Sequence, residues 1–241
     1  MTANKPGDPT TLNRLYGRSV GKALRKGQQA LVDGLLPRIA VPGEGPVTAE
    51  LLFGDSRPLH FEIGFGGGEH MAFRADLLPD HGFVGAEPFL NGVAQALTHV
   101  DGDGGAHAPL GNVRIHHGDA LEVLARVPDG TLSFVYLLHP DPWPKARHAK
   151  RRMMNDGPVR LIAAKLKPGG EFRFGTDHPV YLRHALMVMQ RYCLGEEAPF
   201  DWLCDAPSDF QRRPGGWPQT RYEAKARALG HEVWYFRYRR R

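Results

Sequence analysis

From residue 59 onward, short apolar runs alternate with longer segments whose apolar residues recur every three or four positions. Compact apolar runs mark buried strands, and a repeat near 3.6 marks a helix packed on one face. The pattern predicts strands over residues 59–63, 83–86, 113–116, 132–138 and 171–175, with helices between them over 69–78, 91–100, 120–126 and 158–166. Beyond Pro179 a helix is expected to Cys193, then an irregular Pro-containing stretch, a helix over 222–229 and a last strand over 232–238. Such alternation builds βαβ units and a parallel sheet. Right-handed crossovers bring the carboxyl ends of the strands to one edge, where ligands of open α/β sheets bind. Chemistry is therefore expected in the residues that follow each strand.

Upstream the pattern differs. Residues 1–19 are polar and rich in Gly and Pro, and are expected to be mobile. Over 21–36, Ala23, Leu24, Ala30, Leu31, Leu35 and Leu36 recur at roughly helical spacing, and Pro37 is expected to end the run. The segment VPGEGP at 41–46 is loop by composition. The chain thus reads as a basic leader and helix over 1–46 and one domain over 47–241. The Gly-rich stretch 101–111 reads as a surface loop. A chain of 241 residues can fold around one core without staples. Cys193 and Cys204 lie outside any Cys-x-x-Cys spacing, the twelve histidines have no ligand spacing, and no apolar run reaches the about 18 residues of a membrane span. A cytoplasmic protein with free thiols, no metal and no membrane contact is expected.

Charge narrows the partner. Residues 1–38 carry seven basic against two acidic residues and 200–241 carry nine against five, so the stretch between is acidic overall although the chain is +5. Within it, KARHAKRR holds Lys145, Arg147, Lys150, Arg151 and Arg152 and no acid. One charge run reads as solvated surface. Three of them point to a polyanion, nucleic acid first.

HFEIGFGGGEH leads from the first strand into a helix, and Gly64, Gly66, Gly67 and Gly68 allow close backbone approach to a ligand. A dinucleotide fingerprint would want a glycine at 69, where Glu69 instead places a carboxylate at the helix N-terminus that a pyrophosphate would need. That argues against NAD and for an uncharged nucleoside. Glu62 likewise repels phosphate but suits a cationic amine, and S-adenosylmethionine offers both features. Glu87 follows the second strand 21 residues after Gly66, the spacing at which an acid reaches ribose hydroxyls. Asp119 follows the third strand, where a carboxylate faces the adenine amine. Each acid alone also reads as a helix cap. The ordered series on three strand ends points to the S-adenosyl cofactor.

The next strand delivers Pro140, Asp141, Pro142, Trp143, Pro144 and Lys145 to the same edge, and the prolines stiffen the loop that holds Asp141 and Trp143. In order and spacing, FEIGFGGGEH, VGAEPF, GDA, HPDPWPKARHAKRR, GTDH and TRYEAKARALGH resemble the bacterial tRNA (guanine-N(7)-)-methyltransferase family over most of the chain. The resemblance implies an α/β fold with a doubly wound, mostly parallel seven-stranded sheet of the class I S-adenosylmethionine-dependent methyltransferase type. It implies methyl transfer to nitrogen-7 of the variable-loop guanine, position 46 by tRNA convention. Cofactor contacts are implied for Glu62, Gly64, Gly66, Glu87, Asp119 and Asp141, with Asp141 also the catalytic residue that stabilises charge on the purine. Substrate contacts are implied for Lys145, Asp177, Thr220, Arg221, Tyr222 and Glu223, with Asp177 and Glu223 accepting from guanine's ring NH and amine. Arg147, Lys150, Arg151 and Arg152 would neutralise tRNA phosphates. Thr220, three residues before Glu223, also fits a capping box. The chain departs from the family pattern at Gly67, at Pro88 and Phe89, and at Leu138 and His139. Two other readings stay open: a methyltransferase acting on an exocyclic amine of another nucleic-acid base, and a tRNA-binding protein without turnover.

Overall fold

The strands are β1 (Leu59–Ile63), β2 (Gly82–Ala86), β3 (Val113–His116), β4 (Leu132–Leu138), β5 (Leu166–Thr176), β6 (Phe200–Trp202) and β7 (Trp234–Arg240). They form one sheet in the order β3-β2-β1-β4-β5-β7-β6. Pairing is parallel from β3 through β5 and antiparallel where β7 lies between β5 and β6. The computed structural model describes residues 21–102 and 109–241, so the expected mobility of 1–19 and the middle of the 101–111 loop lie outside the described residues. The expected irregular stretch after residue 193 contains β6, which at three residues is too short to show a period of two. β5 begins earlier than the pattern suggests, because Leu166 already pairs with Leu132 before a shift in register.

Among the described residues the helices are α1 (Lys26–Gly34), α2 (Leu36–Ile39), α3 (Ala49–Phe53), α4 (Glu69–Leu77), α5 (Leu90–Val100), α6 (Ala120–Arg126), α7 (Asp156–Lys165), α8 (Pro179–Cys193), α9 (Ser208–Gln211) and α10 (Arg221–Ala228), with a 3₁₀ turn over Ala146–Arg151. Pro37 does not end the helical run. It sits in the first turn of α2, where its missing N–H has no intrahelical partner to lose.

Strand alternation divides the core. Phe61, Ile63, Val135, Leu137, Phe172, Phe174 and Phe236 are buried with side chains of α6, α7 and α8. Each such large apolar side chain contributes about 1.5–3 kcal/mol. The intervening residues His60, Phe134 and Tyr136 stack on one another on the other face, and Trp217 and Ala226 close over Tyr136. Beside them, Met71 of α4 and Val93 and Leu97 of α5 form a second cluster with Leu31, Val32, Leu35 and Ile39 of the leader. The leader's helical part is therefore docked on the sheet domain, and Val41 N–H donates to Ile115 O at 2.9 Å. Every parallel strand ends on the same edge.

Candidate active site

The glycine loop between β1 and α4 is shaped by backbone that other residues resist. Gly64, Gly66 and Gly68 have φ of 65°, 58° and 78°, the left-handed region glycine enters without strain. Glu87 staples this loop to β2: one carboxylate oxygen accepts from Gly66 N–H and the other from Phe89 N–H, each at 2.9 Å. Burial pushes the Glu87 carboxyl above its ordinary value, the two N–H donors oppose this, and nearby Asp141 adds to the rise. Asp119 is buried and caps α6 by accepting from Leu121 N–H at 2.9 Å. That bond uses one of a carboxylate's roughly four acceptor positions, so the cap and a ligand role are compatible. Glu62 is buried beneath the loop and accepts from His70 Nδ1 at 2.7 Å.

Asp141 is exposed at the end of β4, in a loop with two left-handed non-glycine residues, His139 at φ 50° and Trp143 at φ 41°. Arg152 explains how that loop is held. Its guanidinium is buried and donates to Pro142 O at 3.1 Å and Trp143 O at 2.9 Å. Arg152 Nε and one Nη thus face inward, onto carbonyls of the loop, and not along the exposed face of the basic run. Arg151 is half-buried, with its guanidinium over the Trp143 ring at 4.9 Å. Lys145, Arg147 and Lys150 are exposed along the same turn.

Thr220 caps α10, its hydroxyl accepting from Glu223 N–H at 3.2 Å. The next two residues reach the glycine loop. The Tyr222 ring lies 3.0 Å from where a Cβ on Gly66 would stand. Arg221 pairs with Glu69 at 3.3 Å. The tips of this pair lie close to where a Cβ on Gly67 would stand, Arg221 Nη2 at 2.7 Å and Glu69 Oε1 at 2.8 Å from it. Glu223, expected to accept from guanine, is turned inward. It is 2% exposed and receives Arg227 at 2.8 Å and Arg213 at 3.1 Å. Burial works to raise its carboxyl, but donors from Arg227, Tyr235 and Arg213 outweigh it and hold the value low. Asp177, beyond β5, lies between His139 Nδ1 at 3.5 Å and His231 Nδ1 at 3.4 Å. The His139 contact holds its carboxyl down to about 2, with burial opposing and His231 assisting.

The structure also contains residues that sequence reasoning passed over. A Cβ on Gly92 would stand 2.5 Å from Gly66 O, so α5 presses its backbone onto the loop. Gly92, Arg213 and Trp217 carry no local signal that separates them from ordinary helix or surface positions.

A glycine cradle followed by buried carboxylates at the ends of β1, β2 and β3 fits a nucleoside with an amine and offers pyrophosphate a negative surface. With the strand order described, this defines an S-adenosylmethionine-dependent methyltransferase of class I. The 16S rRNA methyltransferase KamB superposes with a TM-score of 0.55 at 14% identity, covering 83% of this chain and 98% of that one, a likeness of fold. A family model described as "Putative methyltransferase" matches residues 56–236. A tRNA (guanine-N(7)-)-methyltransferase from Sphingopyxis alaskensis is 80% identical over all of both chains, one from Zymomonas mobilis is 58% identical over all of both, and one from Rhodospirillum rubrum is 39% identical over 98% of this chain and 91% of its own. The chain belongs to the tRNA (guanine-N(7)-)-methyltransferase family.

Proposed function

We propose that this protein methylates nitrogen-7 of the variable-loop guanine, position 46 of tRNA, in the cytoplasm; no obligate protein partner is inferred. The observation that carries the reading is the seat of residues 220–222 on the glycine loop: Tyr222 over Gly66 and Arg221 on Glu69 bring the substrate motif to the cofactor motif. When bound, S-adenosylmethionine supplies an electrophilic methyl on its sulfonium. Glu62, Glu87 and Asp119 hold the cofactor's amine, ribose and adenine. The chain's residues have no proton to remove, because nitrogen-7 carries its lone pair in the ring plane. Their work is alignment, which supplies about 7–11 kcal/mol in favourable cases. Asp141 stabilises charge that develops on the purine. Asp177, kept ionised by its two imidazoles, accepts from guanine's ring NH and amine, a pair adenine lacks. Tyr222 or Trp143 offers a stacking face, and Lys145, Arg147 and Lys150 meet phosphates, with the basic leader adding charge.

The test uses purified protein, labelled methyl donor and unmodified tRNA. Label is expected on tRNA with guanine at position 46 and not on tRNA with adenine there. The product is expected to undergo strand scission after reduction, because methylation at nitrogen-7 leaves a cationic base. Equal labelling of both substrates would remove the site assignment. A labelled product resistant to scission would favour an exocyclic amine instead.

A further inference from the structure

The bond between His70 and Glu62 is not explained by any role assigned above. His70 is the second residue of α4, directly behind the glycine loop. Its Nδ1–H donates to Glu62 Oε2 at 2.7 Å, with side chains only 2% and 6% exposed. The imidazole stands edge-on to Tyr136 at 4.7 Å and to Trp217 at 5.3 Å. Nε2 is buried without a hydrogen-bond partner among the described residues. The ring is thus clamped by aromatic neighbours and makes one polar bond. That bond goes to the acid at the end of β1.

We propose that His70 is a positioning residue that fixes the Glu62 carboxylate for the amine of the cofactor, an inference that rests on Glu62 being a cofactor contact. A carboxylate accepts in several directions, and one fixed donor at short range assigns an oxygen and leaves the other lone pairs aimed. Trp217 lies three residues before Thr220, so the ring that aims Glu62 is itself held by the segment leading to the substrate motif.

Two substitutions separate the donor from the ring. His70→Phe keeps an aromatic ring against Tyr136 and Trp217 and removes the donor. His70→Asn keeps a donor near the position of Nδ1 and removes the ring. Binding of S-adenosylhomocysteine, which carries the same amine, is measured by calorimetry for both, for Glu62→Gln and for Glu62→Gln combined with His70→Phe. His70→Phe is expected to weaken binding about 10- to 100-fold, the size of a hydrogen bond to a charged group. His70→Asn is expected to recover most of that loss, and the KM for tRNA is expected to stay unchanged. In the Glu62→Gln background, His70→Phe is expected to add nothing. If Glu62→Gln binds as well as the parent, the reading of Glu62 is lost and the proposal with it. If Glu62→Gln binds weakly while His70→Phe binds normally, His70 has no positioning role, whatever Glu62 does. Should the Phe variant not fold, His70→Leu takes its place beside His70→Asn: weaker binding by the Leu variant than by the Asn variant supports the proposal, and equal affinities overturn it.

Discussion

His60 shows how far one side chain can set the conditions the protein tolerates. It is 1% exposed, with Nδ1 3.1 Å from the Tyr136 hydroxyl and Nε2 2.7 Å from His81 Nδ1. Burial, aided by the charges of His81, Arg74, Arg173 and His70, pushes its imidazole down to about 2. In the unfolded chain the same residue takes a proton near pH 6.5. The unfolded state therefore binds the extra proton as pH falls below about 6.5, and stability falls with it, at a slope approaching 1.4 kcal/mol per pH unit. Urea unfolding between pH 7 and pH 5 is expected to show a shallower acid limb for His60→Gln than for the parent. Identical limbs would mean that His60 is protonated in the folded protein. The sequence places this histidine in a buried strand but does not show its partners, which lie 21 and 76 positions away. The places of Glu62, Glu87 and Asp119 at strand ends are legible because strand ends and glycines are local signals; the pairing of Glu62 with His70 and of Glu87 with Gly66 is not, because it depends on how the loop folds back.

At the scale of the element, the loop after β4 and the turn that follows are one device. The run of basic residues from Lys145 to Arg152 looks uniform as sequence, yet Lys145, Arg147 and Lys150 face solvent while Arg152 faces the loop carbonyls. Charge density says that a segment is basic, and only the backbone path says which guanidinium turns inward. Arg152→Ala leaves two carbonyls without their donor. It is expected to lower stability by about 1.5–3 kcal/mol, as for loss of a charged hydrogen bond, and to depress methyl transfer by loosening Asp141. Arg147→Ala is expected to leave thermal unfolding unchanged. A Tm for Arg152→Ala equal to that of the parent would show that the prolines alone hold the loop. α10 teaches the same distinction: its Thr220 cap is readable from a spacing of three, whereas Glu223 is held inward both by Arg227 of the same helix and by Arg213, which lies outside it.

For the molecule as a whole, the basic segments argue for a partner whose hold weakens with salt. If Arg147 and Lys150 each meet a phosphate, their joint replacement by Ala is expected to reduce the slope of log K against log salt by about 1 to 2 across all tRNAs. Filter binding at several salt concentrations measures this; an unchanged slope would move the RNA to another face. The parallel part of the sheet was readable because each strand is a compact apolar run beside an amphipathic helix. The edge strand β6 was not, since its pairing is supplied by a strand more than thirty residues later. The placement of β7 has a consequence for synthesis. This strand, made after all the others, is interior to the sheet, flanked by β5 on one side and β6 on the other. Until residues 234–240 leave the ribosome, β5 exposes an open edge and β6 has nothing to join. Nascent chains must be kept from pairing with one another during that interval, and a premature stop in these codons would remove an inner strand of the sheet instead of trimming its rim.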